Sequence, residues 1–332
     1  MLTTVDYHTA GEPFRIVTSG APVPVGTTVL DRRESAMSGE LDALRALLCN
    51  EPRGHADMYG GFLVPPDDDG ADLGVLFWHK DGFSTACGHG TIALATYAVD
   101  EGIVPAPDDG DVDVVIDVPS GRVRAVVRRE AGRVVSVRFA NVPSYVLARS
   151  VPVDTSMQPC TADLSYGGAV YASVDATTVG LHVTPEHLGD LIRLGRAIKW
   201  ALNDLPEARH PSDPRLSGVY GTIWYEDVDG SDGLHQRNCT VFADGEVDRS
   251  PCGSGTSARL ALLADDGTIS TGQTLVHDSV IGTRFLGRVV GTASADGHHA
   301  VLTEVEGSAY RTGEHRFVLD PRDPVGSGFQ LR

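Results

Sequence analysis

The sequence has no basic excess, no long apolar run and few cysteines, and each shortage removes a class of function. Its 27 Lys and Arg stand against 45 Asp and Glu, a formal net charge of −18, which repels nucleic acid and anionic lipid. The partner this leaves is a small molecule, and the charge itself reads as a soluble, self-repelling surface. No apolar run approaches the roughly 18 residues of a membrane span. The start, MLTTVDYHTAGEP, has neither the basic opening nor the apolar core of a signal peptide and predicts a cytoplasmic protein. Five cysteines in 332 residues are too few and too scattered for a disulfide framework in that compartment. Three of them, Cys49 in DALRALLCN, Cys160 after a Gln-Pro and Cys239 in NCTVFAD, read as small buried apolar side chains.

What is present is an ordinary globular composition, 41% apolar and 22% charged, at a length that suits two domains of about 150 residues with a cleft between them. Strand-like runs dominate: FRIVTSG, LGVLFWH, DVVIDVP, VRAVVRRE, VVSVRFANV, GGAVYASVDA, LVHDSVIG and HHAVLTEVE alternate or carry β-branched residues between Gly, Asp and Pro. Residues 33–49 predict a peripheral helix. Residues 184–203 predict another, with Thr184 as N-cap, Pro185 at the first helical position and Leu188, Leu191, Ile192 and Ile198 on one face. Two further helices, GHGTIALATYAV and GSGTSARLALLA, are nearly uncharged over their first turns and read as buried. Glycine lowers helix propensity by roughly 1 kcal/mol relative to Ala, so those first turns need a backbone reason for it, such as close approach of a ligand.

These two helices open an internal repeat. Cys87-Gly88-His89-Gly90-Thr91 matches Cys252-Gly253-Ser254-Gly255-Thr256, Ala93 matches Ala258, and Gly102 and Gly267 each follow an acidic pair, at a constant offset of 165 residues. Half a chain of offset implies two domains of one design. A helix N-terminus offers unpaired N–H groups and a partial positive charge, so it binds a carboxylate and favours the thiolate of a cysteine placed there. Two such termini facing each other would grip one carboxylate and hold two sulfurs on opposite faces of its α-carbon, the arrangement that inversion by proton transfer needs. Four rival readings exist. The helices could merely pack; Cys87, His89 and Cys252 could hold zinc, although no CxxC or HxxxH spacing accompanies them; the thiols could form a redox disulfide; Gly-x-Gly-Thr could cradle phosphate, although the P-loop lysine is missing.

The runs DYHTAGEPFRIV, STACGHGTIAL, VDRSPCGSGTSARLALL and GSAYRTGEHRFVLDPRDPVGSGF resemble the proline racemase family, which includes proline racemase, hydroxyproline 2-epimerases and trans-3-hydroxyproline dehydratases. The resemblance runs nearly end to end. It implies an α/β fold of two similar domains, each a curled, mostly antiparallel sheet around a central helix as in diaminopimelate epimerase, with the active site in the interdomain cleft. The expected bounds are 1–135 plus a return of about 312–332 for the first domain and 136–311 for the second. Cys87 and Cys252 match the catalytic pair. Gly88, His89, Gly253 and Ser254 match segments whose backbone binds the substrate carboxylate, while His89 and Asp248 match side chains near its ring nitrogen; an anionic Asp248 suits a secondary ammonium on Coulombic grounds. The implied enzyme is a cofactor-independent racemase or 2-epimerase of proline or hydroxyproline, without metal, and a homodimer as its relatives commonly are. Ser254 stands where Thr is common in racemases. Dehydratase members often carry Thr in place of the second cysteine, so Cys252 points toward epimerisation, whereas GVYGTIWYED looks more like the dehydratase and racemase branches. Dehydration of a 3-hydroxyproline, or a relative that binds or senses redox state without turnover, are the alternatives.

Overall fold

Alternation and its absence decide which strands face water. Along Gly121–Glu130 the side chains of Val123, Ala125 and Val127 are buried and Arg122, Arg124 and Arg128 are exposed, the period-two pattern of a strand covered on one face. Leu73–His79 is buried at every position, which requires cover on both faces. The computed structural model describes residues 1–155, 157–228 and 233–331. Among these no helix is long and apolar enough to cross a membrane.

In chain order the elements are β1 (Leu2–Thr9), β2 (Glu12–Ser19), α1 (Val29–Ala36), α2 (Glu40–Cys49), β3 (Tyr59–Val64), β4 (Leu73–His79), β5 (Gly82–Phe83), α3 (Gly88–Asp100), β6 (Gly110–Val118), β7 (Gly121–Glu130) and β8 (Arg133–Ala140). There follow β9 (Ser144–Val153), β10 (Cys160–Tyr166), β11 (Val170–Asp175), α4 (Leu188–Leu202), β12 (Val219–Asp227), β13 (Leu234–Phe242), β14 (Glu246–Asp248), α5 (Gly253–Asp265), β15 (Thr274–Ser279), β16 (Arg284–Ala295), β17 (His298–Gly307) and β18 (Ala309–Phe317). The chain divides into two compact units, Met1–Val137 with Ser308–Arg332, and Arg138–Gly307.

In the first unit β1 lies antiparallel between β18 and β2. The sheet continues with β3 parallel to β2, β4 antiparallel to β3, the short β5 against β4, β6 parallel to β4 and β7 antiparallel to β6. Helix α3 packs against β1, β2, β6, β7 and β18, and all its residues from Gly88 to Val99 are buried. Helices α1 and α2 pack against β4, with Val29, Leu41, Leu48 and Cys49 joining Phe62, Leu76 and Trp78 in one apolar cluster.

The second unit repeats this plan. β10 is antiparallel to β9 and β11, β12 parallel to β11, β13 antiparallel to β12, the short β14 against β13, β15 parallel to β13 and β16 antiparallel to β15. Strand β17 pairs with both β16 and β9 and so closes the sheet on itself. Helix α5 packs against β9, β10, β11, β16 and β17 and is buried from Gly253 to Leu263. The two units share one order of antiparallel, parallel and hairpin steps, with the central helix inserted at the same place, which is the two-fold α/β design that the repeat predicts.

The peripheral helices depart from expectation in detail. The helix predicted over 33–49 is two helices, because Ser38-Gly39, the glycine at φ 99°, interrupts the run between α1 and α2. The segment predicted from Thr184 starts as a 3-10 turn at Pro185–His187, and Thr184 makes no side-chain cap bond. Its buried face is Leu191, Leu194, Ile198 and Leu202, with Leu188 and Ile192 half-buried at its margin. Cys49 and Cys239 are buried as expected, whereas Cys160, at the first position of β10, is only half-buried.

Candidate active site

Both cysteines of the repeat are N-caps, and each half achieves this differently. Cys87 has extended backbone (φ −157°, ψ 103°) ahead of α3, and its Sγ accepts the Gly90 N–H at 3.2 Å. A backbone donor aimed at sulfur at a helix start is the arrangement that stabilises a thiolate. The Thr91 N–H and hydroxyl both donate to the Cys87 carbonyl, at 3.0 and 2.8 Å, and fix the turn. Here glycine has its reason: a Cβ at Gly90 would lie 2.8 Å from the Cys87 sulfur and 2.5 Å from Phe14 Cε2. The sulfur folds back over the first turn only because position 90 has no side chain.

His89 is buried between aromatic rings, edge-on to Tyr59 and Phe14 at centroid distances of 4.9 and 5.9 Å. Burial pushes its imidazole down to about 3, against the opposing effect of a hydrogen bond to the Pro13 carbonyl. It is therefore neutral, a donor at one nitrogen and an acceptor at the other. Cys87 Sγ lies 3.4 Å from Nδ1 and 3.5 Å from Nε2, within hydrogen-bond reach of either. The Thr9 hydroxyl donates to the His89 carbonyl at 2.9 Å, tying the first turn of α3 to β1.

Cys252 sits at φ 61°, ψ 101°, a region that non-glycine residues avoid at a cost of order 1–3 kcal/mol, and which clusters at functional sites. What holds it is a local network. Its N–H donates to Ser250 Oγ at 3.1 Å, and the Ser250 hydroxyl and N–H donate to Asp248 Oδ1 at 2.7 and 2.8 Å. On the other side the Thr256 N–H donates to the Cys252 carbonyl at 2.7 Å, and the Thr256 hydroxyl donates to the Pro251 carbonyl at 3.1 Å. His277 Nδ1 lies 2.8 Å from that hydroxyl. The single hydroxyl proton is committed to Pro251, so Nδ1 is the donor here. A Cβ at Gly255 would lie 2.8 Å from the Cys252 sulfur, repeating the constraint seen at Gly90.

Hydrogen bonds from the Gly255 N–H and the Thr240 hydroxyl favour the charged form of the Cys252 sulfur, and its Sγ also lies 3.8 Å from the Tyr171 hydroxyl, which is 2.7 Å from Ser254 Oγ. Burial, then the Asp248 carboxylate, pushes the thiol well above its usual range. Asp248 itself is driven up to about 6 by burial, against the hydrogen bonds from Ser250. Cys252 thus rests as a thiol, able to give a proton. Of the residues expected at a site, Gly88 and His89 share the first turn of α3 with Cys87, and Gly253, Ser254 and Asp248 gather around Cys252. Sequence reading missed Tyr171, Thr256 and His277. The identical Thr91 and Thr256 of the repeat were a usable signal, whereas nothing in GGAVYASVDA marks its tyrosine.

The sequence profile of the family described as Proline racemase matches residues 4–330. The chain belongs to the proline racemase family. It is 45% identical over 332 residues to the trans-3-hydroxy-L-proline dehydratase of Burkholderia cenocepacia, covering 100% of this chain and 98% of that one. It is equally similar, at 45% and the same coverage, to the 3-hydroxyproline 2-epimerase of Burkholderia multivorans. Among solved structures, a hydroxyproline epimerase from Agrobacterium vitis with bound trans-4-OH-L-proline superposes with a TM-score of 0.91 at 30% identity, over 99% of this chain and 95% of that one. A proline racemase family member is an enzyme; the relatives of this one bear the names of an epimerase and of a dehydratase.

Proposed function

We propose that this enzyme is a cofactor-independent 2-epimerase of a hydroxyproline, 3-hydroxyproline foremost, in which Cys87 and Cys252 act on one substrate as a two-thiol acid/base pair. The observation that carries the reading is the device present in both units: a cysteine at the N-cap of a buried helix, with a glycine three residues on that lets the sulfur lie over the first turn. The curated relatives supply the substrate class, since both are named for 3-hydroxyproline.

One sulfur removes the α-proton and the other returns a proton to the opposite face. The first-turn N–H groups of Gly88, His89, Gly253 and Ser254 take the carboxylate, where charge grows as the α-proton leaves; such donors contribute roughly 3–4 kcal/mol each in a water-excluded site. Neutral His89 accepts a hydrogen bond from the ring ammonium, and Asp248 offsets its charge. Cys252, a thiol at rest, is suited to the returning step. A second reading has its own support in the dehydratase relatives: the same α-carbanion expels the 3-hydroxyl, which takes a proton from an active-site thiol and leaves as water, and the resulting enamine tautomerises to a cyclic imine.

Incubation with trans-3-hydroxy-L-proline, trans-4-hydroxy-L-proline, cis-4-hydroxy-D-proline and L-proline in deuterated buffer, followed by NMR, separates these. Epimerisation gives a secondary amine with inverted, deuterated Cα. Dehydration gives a cyclic imine from the 3-hydroxy substrate alone. Absence of both Cα exchange and imine formation in all four would end both readings.

A further inference from the structure

An acid/base thiol has to be stabilised in both of its protonation states, and in a buried site water cannot supply the changing partners. The Gly90 N–H on Cys87 is a fixed donor and serves only the thiolate. Cys252 has the matching fixed donor in the Gly255 N–H, but the Tyr171 hydroxyl also lies 3.8 Å from Sγ and 2.7 Å from the Ser254 hydroxyl, and all three side chains are buried. A hydroxyl both donates and accepts and turns about its own bond.

We propose that Tyr171, backed by Ser254, is the positioning residue for Cys252, a hydroxyl pair that reverses its hydrogen bonds each time the thiol gains or loses its proton. With Cys252 protonated, the S–H donates to the Tyr171 oxygen and the phenol donates to Ser254 Oγ. When Cys252 has delivered its proton, the phenol turns and donates to the sulfur anion while the Ser254 hydroxyl donates to the phenol. No proton leaves either hydroxyl; burial pushes the Tyr171 phenol far above its usual range, which keeps it neutral throughout. The charge-assisted bond to the anion is the stronger of the two, so the pair favours the charged state that isolated burial would forbid. Tyr171 is fixed for this task by edge-on packing with Tyr220 at 5.7 Å and by its place in β11, where it pairs with Ser165 on one side and Gly221 on the other. The equivalent turn of α3 presents His89, 3.4 Å from the Cys87 sulfur and hydrogen-bonded to the Pro13 backbone, in place of a serine backed by a phenol.

This inference rests on the two-thiol reading for its purpose, but its test does not need turnover. Cys87 and Cys252 are 5% and 6% exposed, so their access to a small reagent is comparable. Alkylation by iodoacetamide at pH 9, read for each cysteine by peptide mass spectrometry, reports thiolate at each position in one sample. Tyr171→Phe keeps the ring and removes the hydroxyl; it should slow alkylation of Cys252 about tenfold, one pH unit of thiolate population, and leave Cys87 within twofold. Ser254→Ala should act in the same direction more weakly. With 3-hydroxyproline as substrate, Tyr171→Phe should lower kcat and leave KM in place. Unchanged Cys252 alkylation in both variants, or equal slowing of both cysteines, overturns the proposal. Normal alkylation effects in an enzyme that exchanges no α-proton would instead reject the function proposed above and leave the hydroxyl pair standing.

Discussion

The sharpest perturbation available is a single methyl group at position 90. In Gly90→Ala the new Cβ would lie 2.8 Å from Cys87 Sγ and 2.5 Å from the Phe14 ring. To restore ordinary contact the sulfur must retreat by roughly 0.6 Å, and Phe14, fully buried and stacked near Tyr59, has little room to yield. Overpacking of this kind costs about 1–3 kcal/mol, while exchange of glycine for alanine inside a helix returns up to about 1 kcal/mol. The net loss of stability is therefore small, about 0–2 kcal/mol. Activity responds more steeply, because a displacement approaching 1 Å at a reacting atom lowers rate by about 10²-fold. Gly189→Ala in α4, where nothing lies within 4 Å of the added Cβ, isolates the propensity gain and should raise stability slightly with no effect on rate. The assay pairs urea unfolding with α-proton exchange measured by NMR. A Gly90→Ala protein that is folded and exchanges within twofold of the parent would refute the claim that this glycine exists to seat the sulfur.

Cys87→Ser and Cys252→Ser should each abolish inversion, and each should leave deuterium wash-in from one antipode only; interconversion at near the parent rate in either variant removes the two-thiol scheme. His89 and His277 are buried and neutral, both pushed down to about 3 by burial first of all. Lowered folded-state affinity for a proton means that the stability tied to these rings is complete above the unfolded value near 6.5 and is lost as pH falls from there toward 3; urea titrations at stepped pH should show it, with a flatter acid limb in His277→Gln. Asp248 has the opposite sign. Its carboxyl, raised to about 6, contributes fully only below the unfolded value near 4 and loses that contribution as pH rises through 6. Asp248→Asn should accordingly gain stability at pH 8 relative to pH 4 while losing activity, and a loss of stability at pH 8 would contradict the assignment.

The architecture was legible because period-two runs such as VRAVVRRE and continuous ones such as LGVLFWH leave little choice once bounded by Gly, Asp and Pro. The order of pairing was not: nothing local tells β2 to lie parallel to β3 or β17 to close onto β9, since those are long-range solutions to covering one buried helix. Boundaries failed where a weak local feature competed with apolar periodicity, as when Ser38-Gly39 split a run that reads as continuous.

The repeat was the most informative feature of the sequence and also the most misleading, because it presents the two cysteines as equals. Five matched positions place both sulfurs at helix starts with the same glycine beneath, yet the chemistry of each is decided by residues that do not repeat. Cys87 has extended backbone and the His89 ring 3.4 Å from its sulfur. Cys252 has a strained backbone, an anionic Asp248 reached through Ser250, and a phenol from a strand some 80 residues earlier. If the two thiols act on one substrate, each turnover starts with one charged and one protonated, and residues outside the repeat bias which of them holds the proton. The departures from the repeat, His89 against Ser254 above all, are thus where the surroundings of the two sulfurs part company.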